Sequence, residues 1–344
     1  SVEVSLSAMS TRVSLPALLV LTALVTAACG GGTDATTTIA AAQPPLPTCN
    51  TSTISLPPSD EAQAIVAGMT LDEKASQVLI ITFQGRRPAD DSATTRQANL
   101  ESIGASTVEE AIASRPVGGV ILAGHNVGSL EDLAGLTAAI MEAAAISDRP
   151  GPIVAVDQEG GVASRVGEPA VEVLGQRDLG DIGDPGLVAI AGELIGTQLR
   201  SLGVNLVLAP VVDVDRPDIV SPVDNRTYAS DPDLVGRLAV AAVSGFESAG
   251  VATTAKHFPG LSATTVDSHQ SLPVIREAFE SWIESDREAF AAVVAGGVPA
   301  VLLGHGRFPS LDPSGTPSPL SPLIITELRA CLGFAGVVMS DALG

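Results

Sequence analysis

The sequence predicts an α/β fold, a (β/α)8 barrel of TIM type that stops after its seventh strand. Three observations predict it. Short apolar, β-branched runs alternate with Ala-rich, helix-like stretches along the chain. The runs are continuously apolar, as strands buried on both faces are, which indicates a parallel sheet covered by helices. Charged and polar residues then gather at the C-terminal end of nearly every run, where a barrel of this type builds its site. A doubly wound open sheet also places ligands at strand ends, but at one switch point.

The chain opens with an address. Met9, the only plausible start, is followed by Arg12 and an apolar stretch, residues 13–28, which ends in small residues directly before Cys29. A basic n-region and a short apolar h-region form a secretory leader. The pattern resembles a bacterial lipoprotein signal with Cys29 as the lipidated residue, although Thr26 stands where Leu is usual. An ordinary cleaved signal with an incidental Cys is the other reading. Residues 29–58, rich in Gly, Thr, Ala and Pro, form a tether rather than a core. The expected location is extracytoplasmic, anchored to the bacterial membrane by lipid, or secreted. An oxidising compartment permits a disulfide between Cys49 and Cys331.

The ordered domain is expected over residues 59–344. Thr70 and Glu73 form a capping box that opens a helix. The strand runs are VLIITFQG (78–85), VGGVILAGHN (117–126), PIVAVDQEGG (152–161), GVNLVLAPVVDV (203–214), VATTAKHFPG (251–260), PAVLLGHG (299–306) and GVVMSDALG (336–344). Helix-like stretches lie between them, among them residues 130–146 and 276–297. The last run stops three residues past Asp341, so a longer natural product is expected.

Composition narrows the partners. A net charge of −21 and a pI near 4.4 repel phosphate backbones, which disfavours nucleic acid. Aromatics make up only 3%, with Trp282 and Tyr228 the single Trp and Tyr, too few for a long stacking platform. No G-x-S-x-G or H-E-x-x-H occurs, and the spacing of His125, His257, His269 and His305 is not that of a closed metal site. No cofactor or metal is expected.

The chemistry sits at the strand ends. Lys256 and His257 leave one strand, and a Ser/Thr-rich loop after a Pro-Gly turn carries Asp267 and His269. A carboxylate two residues from an imidazole can fix its tautomer and raise its basicity. Alone, D-x-H also reads as a surface loop. Asp341 ends the last apolar run, where its alternative role is a helix cap. Asp157, Arg165 and Arg226 follow two other runs. Together, Asp157, Arg165, Arg226, Lys256 and His257 suit a polyhydroxylated ligand. Asp341 as nucleophile and His269, held by Asp267, as acid/base form the arrangement of a retaining glycosidase.

The combination resembles glycoside hydrolase family 3, in its β-N-acetylglucosaminidase branch. The segments that carry the resemblance are MTLDEKASQVLI, VGGVILAGHN, VDQEGG with Arg165, APVVDV, DNRTY with Arg226, KHFPG, DSH, LLGH and LGFAGVVMSD. They run in family order over residues 68–342, and KHFPG followed by DSH is the most specific. Leu261 and Ser262 stand where the family has His-Gly, and Ala342 where it has a second Asp. The resemblance implies a retaining exo-β-N-acetylhexosaminidase that takes terminal N-acetylglucosamine from peptidoglycan-derived saccharides or muropeptides. A phosphorylase and an inactive sugar-binding lipoprotein are the alternatives. A monomer is expected.

Overall fold

The computed structural model describes residues 59–343, apart from 91, 148–149 and 168–169. The leader, Cys29, the tether and Cys49 lie outside the described residues. Seven strands form one sheet: β1 (Ile80–Ile81), β2 (Gly119–Leu122), β3 (Ile153–Val156), β4 (Leu206–Val207), β5 (Ala252–Phe258), β6 (Ala300–Leu303) and β7 (Val337–Ser340). Each falls within one of the seven apolar runs. Their spatial order is their chain order, and every neighbouring pair is parallel. A sheet that never reverses its order has no switch point, which separates this topology from the doubly wound one.

The strands bury both faces by their period of two. One face points inward: Ala155, Leu206, Leu208, Ala300, Leu302 and Met339 make a small inner cluster. The other face, with Val154, Val156 and Val207 or Ala255, Val301 and Leu303, packs under the helices. The longest of these are Leu130–Ile146, Pro185–Ser201 and Pro232–Ser248. The last two approach closely because Gly245 lies where a Cβ would stand 2.2 Å from the Ala189 carbonyl oxygen.

This parity aims the site. Asp157 lies two residues after inward Ala155, and Asp341 two after inward Met339. Lys256 shares the inward parity of Ala252 on β5. All three therefore turn toward the mouth at the C-terminal end of the sheet.

The capping box holds: Thr70 accepts from the Glu73 amide, and the Glu73 side chain accepts from Thr70. The helix expected over 276–297 is instead two, Phe279–Ile283 and Asp286–Ala295. Ser285, at φ −135° and ψ −103°, leaves the helical region between them. The Asp286 side chain is drawn away to the Val214 amide (2.9 Å) and to Arg216 (2.5 Å), and fixes that break. Cys331 is disulfide-bonded; its expected partner, Cys49, lies outside the described residues.

Candidate active site

The site has a buried floor and an exposed rim. The floor begins at the end of β5, where the ladder shifts register between Lys256 and Phe258. Such an irregularity re-aims side chains, and here Lys256 and His257 both line the same cavity. The Lys256 Nζ lies 2.7 Å from Asp157 Oδ1 and 2.6 Å from Glu159 Oε1. Arg226 grips the same Glu159 with two donors, Nε at 2.9 Å and Nη2 at 2.8 Å. Glu159 is thus a buried carboxylate shared by two cations. Burial raises its pKa, but the charges of Lys256 and Arg226 and their hydrogen bonds outweigh burial and hold it at about 2. Arg226 is pushed the other way: burial lowers its pKa, but the bond and charge of Glu159, together with the charges of Asp213 and Asp157, raise it overall.

His257 is held in one tautomer. Its Nδ1 lies 2.7 Å from Asp213 Oδ2, a carboxylate that can only accept there, so the proton sits on Nδ1. Its Nε2 faces Arg226 Nη2 at 3.4 Å and accepts from it. The other oxygen of Asp213 accepts from the Leu261 amide at 2.6 Å, so the carboxylate also pins the turn that leads into the loop beyond.

The rim is built differently. The loop after β5 carries Asp267 and His269, whose Nδ1 lies 2.8 Å from Asp267 Oδ1. The His269 amide also donates to that oxygen, at 2.9 Å. These two bonds to His269 lower the Asp267 pKa. The proton between the pair sits on Nδ1, leaving Nε2 as the free nitrogen. The His269 side chain is 77% exposed, against 3% for Lys256.

Asp341 follows β7. Its amide donates to the Leu303 carbonyl at 3.1 Å, continuing the β6 ladder. Its Oδ1 accepts from the Ala342 amide at 2.7 Å, and Oδ2 carries no protein donor among the described residues.

Two cavities of about 360 and 200 Å³ share Arg226, His257, His269 and Asp341. The larger also takes in Asp157, Arg165 and Lys256, and the smaller takes in Asp267. All eight side chains singled out in the sequence therefore meet in one place. Arg165 is placed by its backbone, which donates to Gln158 Oε1 at 2.8 Å; its side chain lines the larger cavity. Sequence reasoning missed Glu159 and Asp213. Glu159 had a signal, since it follows Asp157 by two and shares its parity. Asp213 ends the β4 run as Asp157 ends the β3 run, but its partner lies 44 residues on.

The profile described as the Glycosyl hydrolase family 3 N terminal domain matches residues 70–344. The chain is 32% identical over 311 residues to Beta-hexosaminidase A of Pseudoalteromonas piscicida, covering 83% of this chain and 50% of that one. It is 35% identical over 235 residues to the Beta-hexosaminidase of Stenotrophomonas maltophilia (strain K279a), covering 66% and 68%. Among solved structures it is similar to a glycoside hydrolase family 3 beta-N-acetylglucosaminidase from Paenibacillus sp. str. FPU-7. That match has a TM-score of 0.73 and 34% identity, over 80% of this chain and 50% of the other. NagZ from Neisseria gonorrhoeae in complex with N-trifluoroacetyl-D-glucosamine matches with a TM-score of 0.65 and 28% identity, over 77% and 74%. The chain thus spans half the length of the Pseudoalteromonas and Paenibacillus relatives.

Proposed function

The chain belongs to glycosyl hydrolase family 3, and from that premise we propose that it is a retaining exo-β-N-acetylhexosaminidase. It removes terminal N-acetylglucosamine from peptidoglycan-derived fragments. One observation carries the reading. Asp341 and the Asp267-held His269 line the same cavity of about 360 Å³ as the Asp157, Lys256 and Arg226 set. That volume suits one sugar ring with its substituents, which favours exo action.

The chemistry follows from the placement. The donors and acceptors of Arg226, Lys256 and Asp157 hold the hydroxyls of the sugar. Oδ2 of Asp341 attacks the anomeric carbon as the glycosidic C–O bond breaks. His269 enters this step as the imidazolium: the leaving oxygen takes the proton from Nε2, Nδ1 keeps its own toward Asp267, and the product is a glycosyl ester on Asp341. Nε2, now unprotonated, takes a proton from water as that water attacks the same carbon and frees Asp341. Two inversions at one centre give net retention.

The relatives named Beta-hexosaminidase and the NagZ complex with a glucosamine derivative support the sugar. The lipoprotein-like leader before Cys29 supports an enzyme anchored at the outer face of the membrane, facing the cell wall. The test is the first-formed product from an aryl N-acetyl-β-glucosaminide, read by proton NMR before mutarotation. The β anomer is expected, and the α anomer would overturn the mechanism. Membrane anchoring is tested separately, by the release of the Cys29→Ala protein from membranes.

A further inference from the structure

Three of the four histidines have partners that explain them. His257 and His269 belong to the site, and His125 ties the β1 and β2 loops together through the Phe83 carbonyl at 2.9 Å. His305 is the fourth. It lies two residues past β6 and lines neither cavity. Its Nε2 lies 2.6 Å from the carbonyl oxygen of Ala342, the residue directly after Asp341. A carbonyl only accepts, so Nε2 carries the proton and donates it.

The perch of His305 is fixed. Ser318, fully buried, donates its amide to the Gly306 carbonyl at 2.8 Å and its hydroxyl to the Gly304 carbonyl. The residue on each side of His305 is therefore tied through its carbonyl to one residue of a different segment. Gly304 admits close packing beneath, since a Cβ there would stand 2.8 Å from the His257 Cβ.

The Asp341 to Ala342 step is then held from β6 at two points. The Leu303 carbonyl takes the Asp341 amide, and His305 takes the Ala342 carbonyl. Between them, the Ala342 amide donates to Asp341 Oδ1. The residue whose carbonyl His305 anchors also supplies, through its amide in the preceding peptide, the Asp341 carboxylate's only backbone donor among the described residues. We propose that His305 is a positioning residue for Asp341: its hydrogen bond to the Ala342 carbonyl fixes the residue whose own amide, in the preceding peptide, aims the carboxylate. The inference rests on the reading of Asp341 as nucleophile. It adds a role that requires no contact with the sugar.

The test isolates nucleophilic attack from proton transfer. A 5-fluoro N-acetyl-β-glucosaminyl fluoride needs no acid, because fluoride leaves unprotonated. The C1–F bond breaks, an Asp341 oxygen bonds to C1, and the slow second step lets the glycosyl-enzyme accumulate. Intact mass gives the labelling rate, and peptide mapping gives the residue. His305→Leu removes the donor, His305→Asn shortens it out of reach, and His305→Gln returns an N–H at similar reach.

The expected result is wild-type labelling at Asp341. His305→Leu and His305→Asn label about tenfold or more slowly, since small misplacements of a reacting group are costly. His305→Gln recovers to within about threefold of wild type, and the Kd for N-acetylglucosamine stays within about twofold in all three. Wild-type rates in both Leu and Asn variants would overturn the inference and leave Asp341 standing. So would a Gln variant as slow as the Leu variant, or a loss of sugar binding equal to the loss of rate. Wild-type labelling at another residue would overturn both the nucleophile and the inference. Should the Leu variant fail to fold, the Asn and Gln pair carries the same comparison.

Discussion

The floor and the rim of the site solve opposite problems. On the floor, Glu159, Asp213, Lys256 and His257 are all buried, and each has partners on a different strand end. On the rim, His269 is mostly exposed and its only side-chain partner among the described residues stands two residues away on the same loop. A binding surface gains from rigidity, because hydrogen bonds held in place need no reordering when the sugar arrives. The acid/base role proposed for His269 requires it to reach a leaving oxygen and then a water, for which an exposed position is suited. Asp267 holds His269 Nδ1 from within the same loop, so that contact does not depend on the floor.

The sharpest way to break this contrast is to remove each side and look for the wrong kind of damage. His269→Ala should cut kcat on poor leaving groups by about 10²–10⁴-fold and on activated aryl leaving groups much less. It should leave stability within about 0.5 kcal/mol, as exposed substitutions do; a large fall in Tm would show that the loop is structural after all. Glu159→Ala should do the reverse. It leaves Arg226 without its carboxylate and Lys256 with Asp157 alone, so about 3–5 kcal/mol of stability should be lost in a denaturant titration, with a raised KM. A mild effect would mean that Lys256 and Arg226 find other partners.

A smaller effect sharpens the comparison through pH. Burial pushes the Asp286 carboxyl up to about 7, although Arg216 pulls it down; the Asp213 charge adds to the rise. In the folded state it therefore holds a proton between its ordinary value of 3.8 and about 7. Its contribution to stability is full below the lower value and fades as pH rises through the upper one. Asp286→Asn should flatten that slope between pH 4 and 7. The rim carries no buried group of this kind, so His269→Ala should leave the slope intact.

The strands were legible because a continuously apolar run has few other readings, and the mouth residues because they end such runs. Asp157 and Asp341 needed only that position. Asp267 and His269 were legible because they are local: two residues suffice to make the contact. The floor was legible only in part. That Glu159 sits between Lys256 and Arg226 depends on strand ends 67 residues apart, and the pairing of Asp213 with His257 on ends 44 apart. No periodicity carries such distances. The broken helix at Ser285 was hidden for the same reason, since its cause is the bond from Asp286 back to Val214, 72 residues earlier. Long-range polar pairing is thus what the sequence concealed, and it is what builds the floor.

The division of labour between Asp341 and His269 is tested most directly by azide rescue. Asp341→Ala and His269→Ala are each given an activated aryl N-acetyl-β-glucosaminide with azide, and the glycosyl azide formed is read by NMR. Without Asp341, azide attacks the sugar directly from the opposite face and gives the α-azide. Without His269, the glycosyl ester still forms, azide displaces it, and the β-azide results. α from the first variant and β from the second is the predicted outcome. β-Azide from Asp341→Ala would mean that another residue is the nucleophile, and the account of the site would fall.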